Sequence, residues 1–297
     1  MAEIKKVGIV GCGLMGHGIA QVAATAGYDV VVREVDDATL QKGLAKIDKQ
    51  LARAVEKGKS SQDDADAIRA RLQGTTDYAD LADSDLVIEA ITENLGMKLE
   101  LWKTLDGIVK PEAVFATNTS SLAVIDQAAS TSRPDRFAGL HFFNPAQVMK
   151  LVEVVRGVTT SDETFDTART FAESLPGKVA IPTKDKAGFI VNRLLVPYML
   201  DAMRAYEEGV GSIAEIDEAM KNGAGHPMGP LTLADLVGND TTGAICDVLF
   251  DEFREKRFAQ PPILRKMLSA GWYGRKAGIG FYDYSGDEPV ENPGLAR

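Results

Sequence analysis

Cysteine is scarce in this sequence: Cys12 and Cys246 are its two cysteines among 297 residues. Two thiols provide neither a disulfide framework nor a set of zinc ligands, so disulfide-stapled secreted domains and structural zinc domains are excluded, and no metal site is expected. The opening segment MAEIKK leads directly into a glycine-rich stretch and shows no secretory apolar region with a cleavage site. We therefore expect a cytoplasmic protein.

Long apolar runs are also missing. No uninterrupted apolar stretch approaches the roughly 18 residues that suggest a membrane span, so no membrane insertion is expected. Basic residues are outnumbered, with 33 Lys and Arg against 43 Asp and Glu, which gives a formal net charge of −10. Such a surface repels nucleic acids and anionic membranes, and neither is an expected partner. The 45% of hydrophobic residues that remain are ample for the cores of a globular protein.

Short β-branched runs alternate with helical patterns from the start of the chain to about residue 185. Seven runs bounded by turn residues have the length and composition of strands. They are KKVGIVG, YDVVVRE, SDLVIEA, AVFATN, FAGLHFF, LVEVV and KVAIP. Helical patterns between them include Leu14–Ala26, Leu95–Val109 and Glu163–Ser174. This alternation predicts a Rossmann-like, doubly wound α/β fold with a mainly parallel sheet.

One crossover is too long for a single helix. Residues 37–84, between the second and third predicted strands, hold two helical patterns where a simple crossover needs one. We predict helices over Thr39–Lys57 and Gln62–Leu72, which form an inserted helical hairpin at about residues 37–73.

The composition changes after IPTKDKAG. Three long helical patterns follow with few strand-like runs, at Phe189–Glu208, Ser212–Asn222 and Leu231–Arg257. We therefore predict a Rossmann domain over residues 1–185 and an all-α domain over residues 186–297. Near the end, GWYGRKAGIGFYDY contains too much glycine for a helix and is expected to be an ordered aromatic tail packed on one of the domains.

A glycine-rich turn directly follows the first predicted strand. Gly11, Gly13 and Gly16 form G-x-G-x-x-G between that strand and a helix, the arrangement that binds a dinucleotide pyrophosphate. Glu34 ends the second strand, where an acid can accept a hydrogen bond from the ribose and repel the 2′-phosphate of NADP. Arg33 precedes it and weakens this preference. The simpler alternative is a structural turn without a ligand.

His141 lies near the carboxyl end of the strand FAGLHFF, at the edge where open α/β sheets bind ligands. An imidazole there suits removal of a hydroxyl proton during hydride transfer. Glu153, in KLVEVV, shares a strand face with apolar residues, so it is buried if that face meets the core, and a nearby imidazole can then be its partner. The alternatives are a core histidine and a Glu153 paired at an exposed edge with Arg156 or Lys150.

Polar residues also crowd the segment TNTSSL after another predicted strand. Ser120 lies where a substrate hydroxyl or carbonyl can be held, although Ser121 can act as the N-cap of a helix over Leu122–Ala129. Asn192 is a lone amide in the apolar helical segment GFIVNRLLV, and it either reaches a ligand or faces solvent.

Structural roles are expected for the other two histidines, and a basic stripe has both a structural and a functional explanation. His17 is expected at the surface or in packing, and His226 in a structural turn. Four basic residues recur every three or four positions along the predicted hairpin: Lys46, Lys49, Arg53 and Lys57. The stripe is either a solvated helix face or a site for a polyphosphate ligand.

Seven segments together resemble one known family. They are GCGLMGHGIAQ, DLVIEAITEN, NTSSL, HFFNPAQVMKLVEVV, GFIVNRLL, GAGHPMGP and GWYGRKAGIGFYDY. The chain is similar through them to the L-3-hydroxyacyl-CoA dehydrogenases, from near residue 4 to about residue 284. The resemblance implies NAD-dependent interconversion of a short-chain (S)-3-hydroxyacyl-CoA and a 3-oxoacyl-CoA, in fatty acid or butanoate metabolism. It also implies a homodimer formed through the C-terminal domain.

The resemblance also assigns roles to residues. It implies His141 as the catalytic base, Glu153 as its orienting partner, and Ser120 and Asn192 as the residues that position the substrate. The residues implied for cofactor binding are Gly11, Gly13, Leu14, Met15, Gly16, Glu34, Glu93, Lys98 and Ser120. Those implied for binding of the acyl-CoA are Arg53, Lys57, Ser120 and Asn144. The family commonly has Asp where this chain has Glu34.

Two other functions remain open from the sequence. One is a hydroxyacid or sugar-acid dehydrogenase on the same scaffold that uses no coenzyme A. The other is a nucleotide-binding structural protein or sensor, since crystallin-like relatives of the family exist.

Overall fold

The computed structural model describes residues 3–295. The chain divides between Phe189 and Ile190 into two compact units. The sequence predicts a slightly earlier boundary, between residues 185 and 186. Phe189 falls into the first unit because its side chain is buried in one of the hydrophobic clusters of that unit.

The first unit is built on one eight-stranded sheet. Its strands are β1 (Lys6–Val10), β2 (Asp29–Arg33), β3 (Leu72–Thr75), β4 (Leu86–Glu89), β5 (Val114–Thr117), β6 (Phe137–Phe142), β7 (Leu151–Arg156) and β8 (Val179–Lys184). They lie in the order β3-β2-β1-β4-β5-β6-β7-β8, and β6 with β7 is the antiparallel pair. The order reverses between β1 and β4, the switch point beyond which doubly wound sheets bind ligands. The predicted fold class is confirmed.

The central strands are buried on both faces, which explains their β-branched, nearly continuous apolar composition. In β2, Val30 and Val32 belong to one hydrophobic cluster and Val31 to the cluster on the opposite face. All seven predicted strands form. β3 was not predicted, because Leu72 reads as the end of a helix and the segment LQGT has little strand propensity. Its parallel pairing with β2 makes it a strand.

The described part of the first unit contains six α-helices: α1 (Gly16–Thr25), α2 (Asp37–Glu56), α3 (Gln62–Ala70), α4 (Leu95–Asp106), α5 (Val124–Ala128) and α6 (Asp162–Ser174). α2 and α3 form the predicted hairpin. α2 begins where the Asp36 carboxylate accepts a hydrogen bond from the Thr39 N–H at 2.7 Å, and Ser61 forms a capping box at the start of α3.

The predicted N-cap of α5 is wrong. The helix begins after Ala123 rather than after Ser121, and no side chain at the N-cap position itself bonds to it. The carboxylate of Asp185, distant in sequence, accepts hydrogen bonds from the Val124 and Ile125 N–H groups at 3.0 and 2.8 Å. A tertiary contact thus replaces the local cap.

The second unit is mainly helical. Its helices are α7 (Val191–Glu207), α8 (Ile213–Ala224), α9 (Pro230–Val237), α10 (Asn239–Phe253) and α11 (Pro262–Ser269), followed by two short antiparallel strands, β9 (Tyr282–Asp283) and β10 (Val290–Glu291). The single helix predicted over Leu231–Arg257 is wrong: Gly238, with φ of +100°, separates α9 from α10. Within the described residues no helix is long and apolar enough to cross a membrane.

The aromatic tail is ordered, as its composition indicates, and it packs on the second unit. The buried Asp235 carboxylate accepts hydrogen bonds from the Phe281 and Tyr282 N–H groups, each at 2.9 Å, and from the Tyr284 hydroxyl at 3.0 Å. Asp235 lies on α9, so this one side chain attaches the tail to the helix.

Candidate active site

The turn between β1 and α1 has the backbone geometry of a phosphate-binding loop. Gly11 has φ of +96°, and a Cβ there would lie 2.7 Å from the Ala90 carbonyl oxygen. A Cβ on Gly16 would collide with the Gly11 carbonyl oxygen. At Gly13, by contrast, no atom lies within 4 Å of the Cβ position. The protein's own packing therefore requires Gly11 and Gly16, whereas Gly13 keeps the loop open to a ligand.

α1 begins on the open side of this loop. Its N-cap residue, Met15, is half-buried and makes no side-chain cap, and Leu14 beside it is exposed. Backbone N–H groups at a helix start bind phosphates. The loop therefore fits the pyrophosphate of a dinucleotide.

Glu34 follows β2 directly and lies against the glycine loop. Its Oε2 accepts a hydrogen bond from the Cys12 N–H at 2.7 Å, and its Oε1 accepts one from the Val35 N–H at 2.7 Å. A carboxylate has about four acceptor sites. Glu34 is thus held in place and keeps acceptor capacity for ribose hydroxyls.

His141 and Glu153 are cross-strand partners in the antiparallel pair of β6 and β7. The imidazole Nδ1 lies 2.6 Å from the Glu153 Oε2, and both side chains are buried, the carboxylate completely. A carboxylate only accepts, so Nδ1 carries the proton and Nε2 is the second, basic nitrogen of the neutral ring. β6 runs parallel to β5, so this pair lies at the carboxyl edge of the sheet, as the glycine loop does.

Two aromatic rings pack beside this imidazole. The His141 ring centroid lies 4.5 Å from that of Phe143 and 5.5 Å from that of Phe189. Phe189 has φ of +46°, a left-handed conformation that is unusual for a bulky side chain. Sequence reasoning missed both rings. The signal for Phe189 is the preceding Gly188, whose backbone is also left-handed and which lies directly before the first helical pattern of the C-terminal part.

The alternative partners proposed for Glu153 are excluded by burial and pairing. Arg156 forms an ion pair with Asp162 at 2.6 Å and lies over the Phe165 ring. Lys150 is exposed, whereas the Glu153 side chain is not.

The segment after β5 carries Ser120 and is tied to its neighbours by hydrogen bonds. Asn118 Oδ1 accepts from the Phe142 N–H at 2.9 Å, which joins the segment to β6. Glu93 Oε1 accepts from the Ser120 N–H at 2.8 Å and from the Thr119 hydroxyl. Half-buried Ser120 therefore sits in a loop whose backbone Glu93 positions.

Lys98 is buried beneath this loop between two carboxylates. Its Nζ lies 2.8 and 3.0 Å from the two oxygens of Glu89 and 2.9 Å from Glu93 Oε2. Glu89 also accepts from the Thr117 hydroxyl at 2.7 Å. Lys98 and Glu93 were both predicted as cofactor contacts, and the structure joins them in one network.

The two carboxyls of this network differ electrostatically. Burial raises the pKa of Glu89 above its usual value, against the opposing effect of the Lys98 ammonium. Burial also acts to raise the pKa of Glu93, but Lys98 and the hydrogen bond from Thr119 outweigh it and hold that pKa low. Glu89 was missed from the sequence, although an acid ending the apolar strand LVIE at the carboxyl edge is the signal for it.

Three of the remaining predicted site residues are exposed, and one belongs to the second unit. Asn144, Arg53 and Lys57 are exposed, the latter two at the end of α2. Asn192 lies in the first turn of α7.

The other two histidines occupy packed positions. His17 is buried, with Nδ1 2.6 Å from the Gly13 carbonyl oxygen, and burial lowers its pKa. His226 Nδ1 lies 2.8 Å from the Tyr198 hydroxyl, as suits an ordered turn.

The switch point, the open glycine loop and the acid after β2 define a Rossmann-type dinucleotide-binding protein with a helical second unit, the architecture of a class of dehydrogenases. Comparison with known proteins then specifies the group. Residues 6–186 match the model of the 3-hydroxyacyl-CoA dehydrogenase NAD binding domain, and residues 188–284 match that of the C-terminal domain. The chain belongs to the 3-hydroxyacyl-CoA dehydrogenase family, which confirms the resemblance seen in its motifs.

Individual relatives match over nearly their whole length. The 3-hydroxybutyryl-CoA dehydrogenase of Clostridioides difficile is 45% identical over 94% of this chain and 99% of that protein. The mitochondrial hydroxyacyl-coenzyme A dehydrogenase of Homo sapiens is 46% identical over 95% of this chain and 91% of that protein. The crystal structure of (S)-3-hydroxybutyryl-CoA dehydrogenase from Ralstonia eutropha, 46% identical, covers 96% of this chain and 100% of that chain with a TM-score of 0.92.

Proposed function

We propose that this chain interconverts short-chain (S)-3-hydroxyacyl-CoA and 3-oxoacyl-CoA with NAD as cofactor, with 3-hydroxybutyryl-CoA and acetoacetyl-CoA as the principal pair. Relatives that share 45% identity are 3-hydroxybutyryl-CoA dehydrogenases. The observation that carries the proposal is the buried His141–Glu153 hydrogen bond at the carboxyl edge of the sheet. The reaction belongs to fatty acid or butanoate metabolism.

His141 acts as the base in the oxidation. Its Nε2 takes the proton of the substrate hydroxyl, and the Glu153 carboxylate stabilises the imidazolium that forms. Bound NAD supplies the acceptor for the hydride that leaves C3. In the reverse direction, protonated His141 returns the proton to the substrate oxygen.

The remaining residues bind and position the reactants. Ser120, in the loop held by Glu93, receives the substrate oxygen, and Asn192 positions the thioester or hydroxyl. Glu93 and Lys98 form a wall of the cofactor site. The exposed ends of Arg53 and Lys57, together with Asn144, contact the coenzyme A portion.

NAD is the preferred dinucleotide in this proposal. The carboxylate of Glu34 is fixed against the loop by two N–H donors and offers acceptors to the ribose hydroxyls. A 2′-phosphate at the same place would meet its negative charge.

The family resemblance also supports a homodimer formed through the helical unit. This unit exposes large apolar side chains, among them Leu194, Val210 and Leu236. A light-scattering mass of two chains is expected, and a mass of one chain would contradict the dimer.

The decisive experiment follows NADH absorbance with acetoacetyl-CoA, then with longer 3-oxoacyl-CoA thioesters, and separately with free acetoacetate. Turnover with the thioesters alone, highest for the short chain, is expected. Turnover with free acetoacetate as well would favour a hydroxyacid dehydrogenase that needs no coenzyme A. NADH binding without turnover of either compound would favour a sensor or structural protein.

A His141→Gln variant tests the mechanism itself. Its turnover is expected to fall by about 10²–10⁴-fold, the usual contribution of general acid–base catalysis. The exposed Glu112→Gln variant is the control and should keep wild-type turnover. Wild-type turnover in His141→Gln would remove the base from the mechanism.

A further inference from the structure

Two residues of opposite charge follow one another at the end of β2, and both bear on dinucleotide choice. Glu34 is the residue type that binds an unsubstituted ribose, whereas an arginine such as Arg33 is the type that accommodates the 2′-phosphate of NADP. The sequence alone leaves this conflict open. The structure resolves where each charged group lies.

Arg33 and Glu34 leave the chain on opposite faces, because side chains alternate along a strand. Val32 belongs to the hydrophobic cluster on one face of the sheet, and Val31 to the cluster on the other. Arg33 follows the face of Val31. Glu34 lies on the opposite side, where Cys12 of the glycine loop donates to it.

The guanidinium of Arg33 is engaged on its own face. Its Cζ lies 3.7 Å from the centroid of the Tyr78 ring, and its Nε donates to the Thr76 carbonyl oxygen at 3.3 Å. Tyr78 is half-buried and packs against the hydrophobic cluster that contains Val31, so the ring has a fixed support. A cation over a supported aromatic face is held by the ring quadrupole and by dispersion.

We infer that Tyr78 is a specificity-determining residue: its ring holds Arg33 away from the ribose side of β2, so that Glu34 alone faces the cofactor. The inference rests on the proposed use of NAD and deepens it. Without the ring, Arg33 keeps only the Thr76 carbonyl as a partner and can turn toward a 2′-phosphate.

The test measures the dissociation constants of NADH and NADPH by nicotinamide fluorescence, in wild type and in four variants: Tyr78→Leu, Tyr78→Phe, Arg33→Ala and the double variant Tyr78→Leu/Arg33→Ala. Tyr78→Leu should bind NADPH about two- to fivefold more tightly, the equivalent of one partly exposed cation–π contact. Its affinity for NADH should not change. Tyr78→Phe retains the ring face and should match wild type.

The double variant shows whether Tyr78 changes NADPH affinity through Arg33. If Tyr78 acts by holding the guanidinium, its removal changes nothing once Arg33 is alanine, so the double variant and Arg33→Ala should have equal NADPH affinities. Unchanged NADPH binding in Tyr78→Leu, or an equal gain in the Arg33→Ala background, would overturn the inference.

These dissociation constants, together with the turnover assay with acetoacetyl-CoA, separate this inference from the proposed function. If the wild type turns over acetoacetyl-CoA with NADH but Tyr78→Leu binds NADPH as the wild type does, the proposed function stands and the specificity role of Tyr78 is wrong. A wild type that binds neither dinucleotide overturns both.

Discussion

At the scale of single residues, the candidate site depends on a side-chain pair whose members come from different strands. His141 and Glu153 meet because β6 and β7 are antiparallel in one particular register. A slip of one residue would turn either side chain to the other face of the sheet. The burial of both groups strengthens their hydrogen bond, because little water competes for it.

Glu153→Gln should keep the fold and lose most of the turnover. The amide oxygen can still accept from Nδ1–H, but it brings no negative charge to stabilise an imidazolium, so kcat should fall about 10²–10⁴-fold. Steady-state kinetics with acetoacetyl-CoA and NADH measure the loss. The NADH dissociation constant should stay at its wild-type value, and a variant with full kcat would show that the charge is not used.

Lys98 contributes to stability because it is buried between two carboxylates. In Lys98→Met the completely buried Glu89 loses its cation, and breaking a buried ion pair from one side costs about 3–5 kcal/mol. Urea unfolding should report a loss of that size. The double variant Lys98→Met/Glu89→Gln should regain part of it.

The control for this pair is Lys103→Met, which breaks the exposed ion pair with Glu100. Exposed pairs contribute about 0–1 kcal/mol. A Lys98→Met variant no less stable than Lys103→Met would show that Glu89 takes up a proton at little cost.

At the scale of elements, helix boundaries are set by two kinds of feature that hydrophobic periodicity does not report: a tertiary cap and a glycine with positive φ. α5 has only five residues and is capped by Asp185, which lies just after β8. Gly238 ends α9 and precedes α10 in a conformation that few other residues adopt. Such features explain why helix boundaries predicted from periodicity differ from those observed.

Asp185→Ala should destabilise the first unit. Two N–H groups at the start of α5 lose their carboxylate, and loss of an N-cap costs about 0.5–2 kcal/mol. Urea unfolding followed by tryptophan fluorescence, to which Trp102 buried in that unit contributes, measures the change. The exposed Asp166→Ala is the matched control, expected within about 0.5 kcal/mol of wild type; equal effects of the two substitutions would argue against the cap.

At the scale of the whole molecule, carboxyls paired with cations and N–H donors set the response to acid. Asp85, Glu93 and Asp106 are among those whose pKa values are held below their usual range. Burial acts to raise each pKa, but paired cations and hydrogen-bond donors outweigh it. Burial raises the pKa of Glu89 and of Asp235 instead, so these two groups oppose the loss of stability in acid.

The chain should therefore lose stability below about pH 4. Where the folded pKa lies below the unfolded value of about 4, the unfolded chain binds more protons, so the free energy of unfolding falls as pH falls through that range. The urea midpoint should be lower at pH 3.5 than at pH 7. Asp106→Asn should show a smaller decrease over the same range, and a midpoint that rises on acidification would mean that Glu89 and Asp235 dominate.

Much of the fold is local in origin and was predictable. Seven strands are β-branched runs between turn residues, and two helical patterns within one crossover predict the hairpin. β3 was not predictable, because LQGT has no strand signal of its own and becomes a strand by pairing with β2. Glu89 was missed although its place at the end of an apolar strand is visible in the sequence, since its pairing with the buried Lys98 is set by the tertiary structure.

The sequence by itself determined the class of fold, the glycine-rich turn after β1 and the residue types of the candidate site, because glycine conformation, hydrophobic period and side-chain chemistry act over short stretches of chain. Only the tertiary structure decided which groups face each other: His141 with Glu153, Lys98 between Glu89 and Glu93, and Arg33 on Tyr78 rather than beside Glu34. These pairings depend on strand register, which brings distant residues together, and on burial. A buried charge is stable only beside a partner of opposite charge.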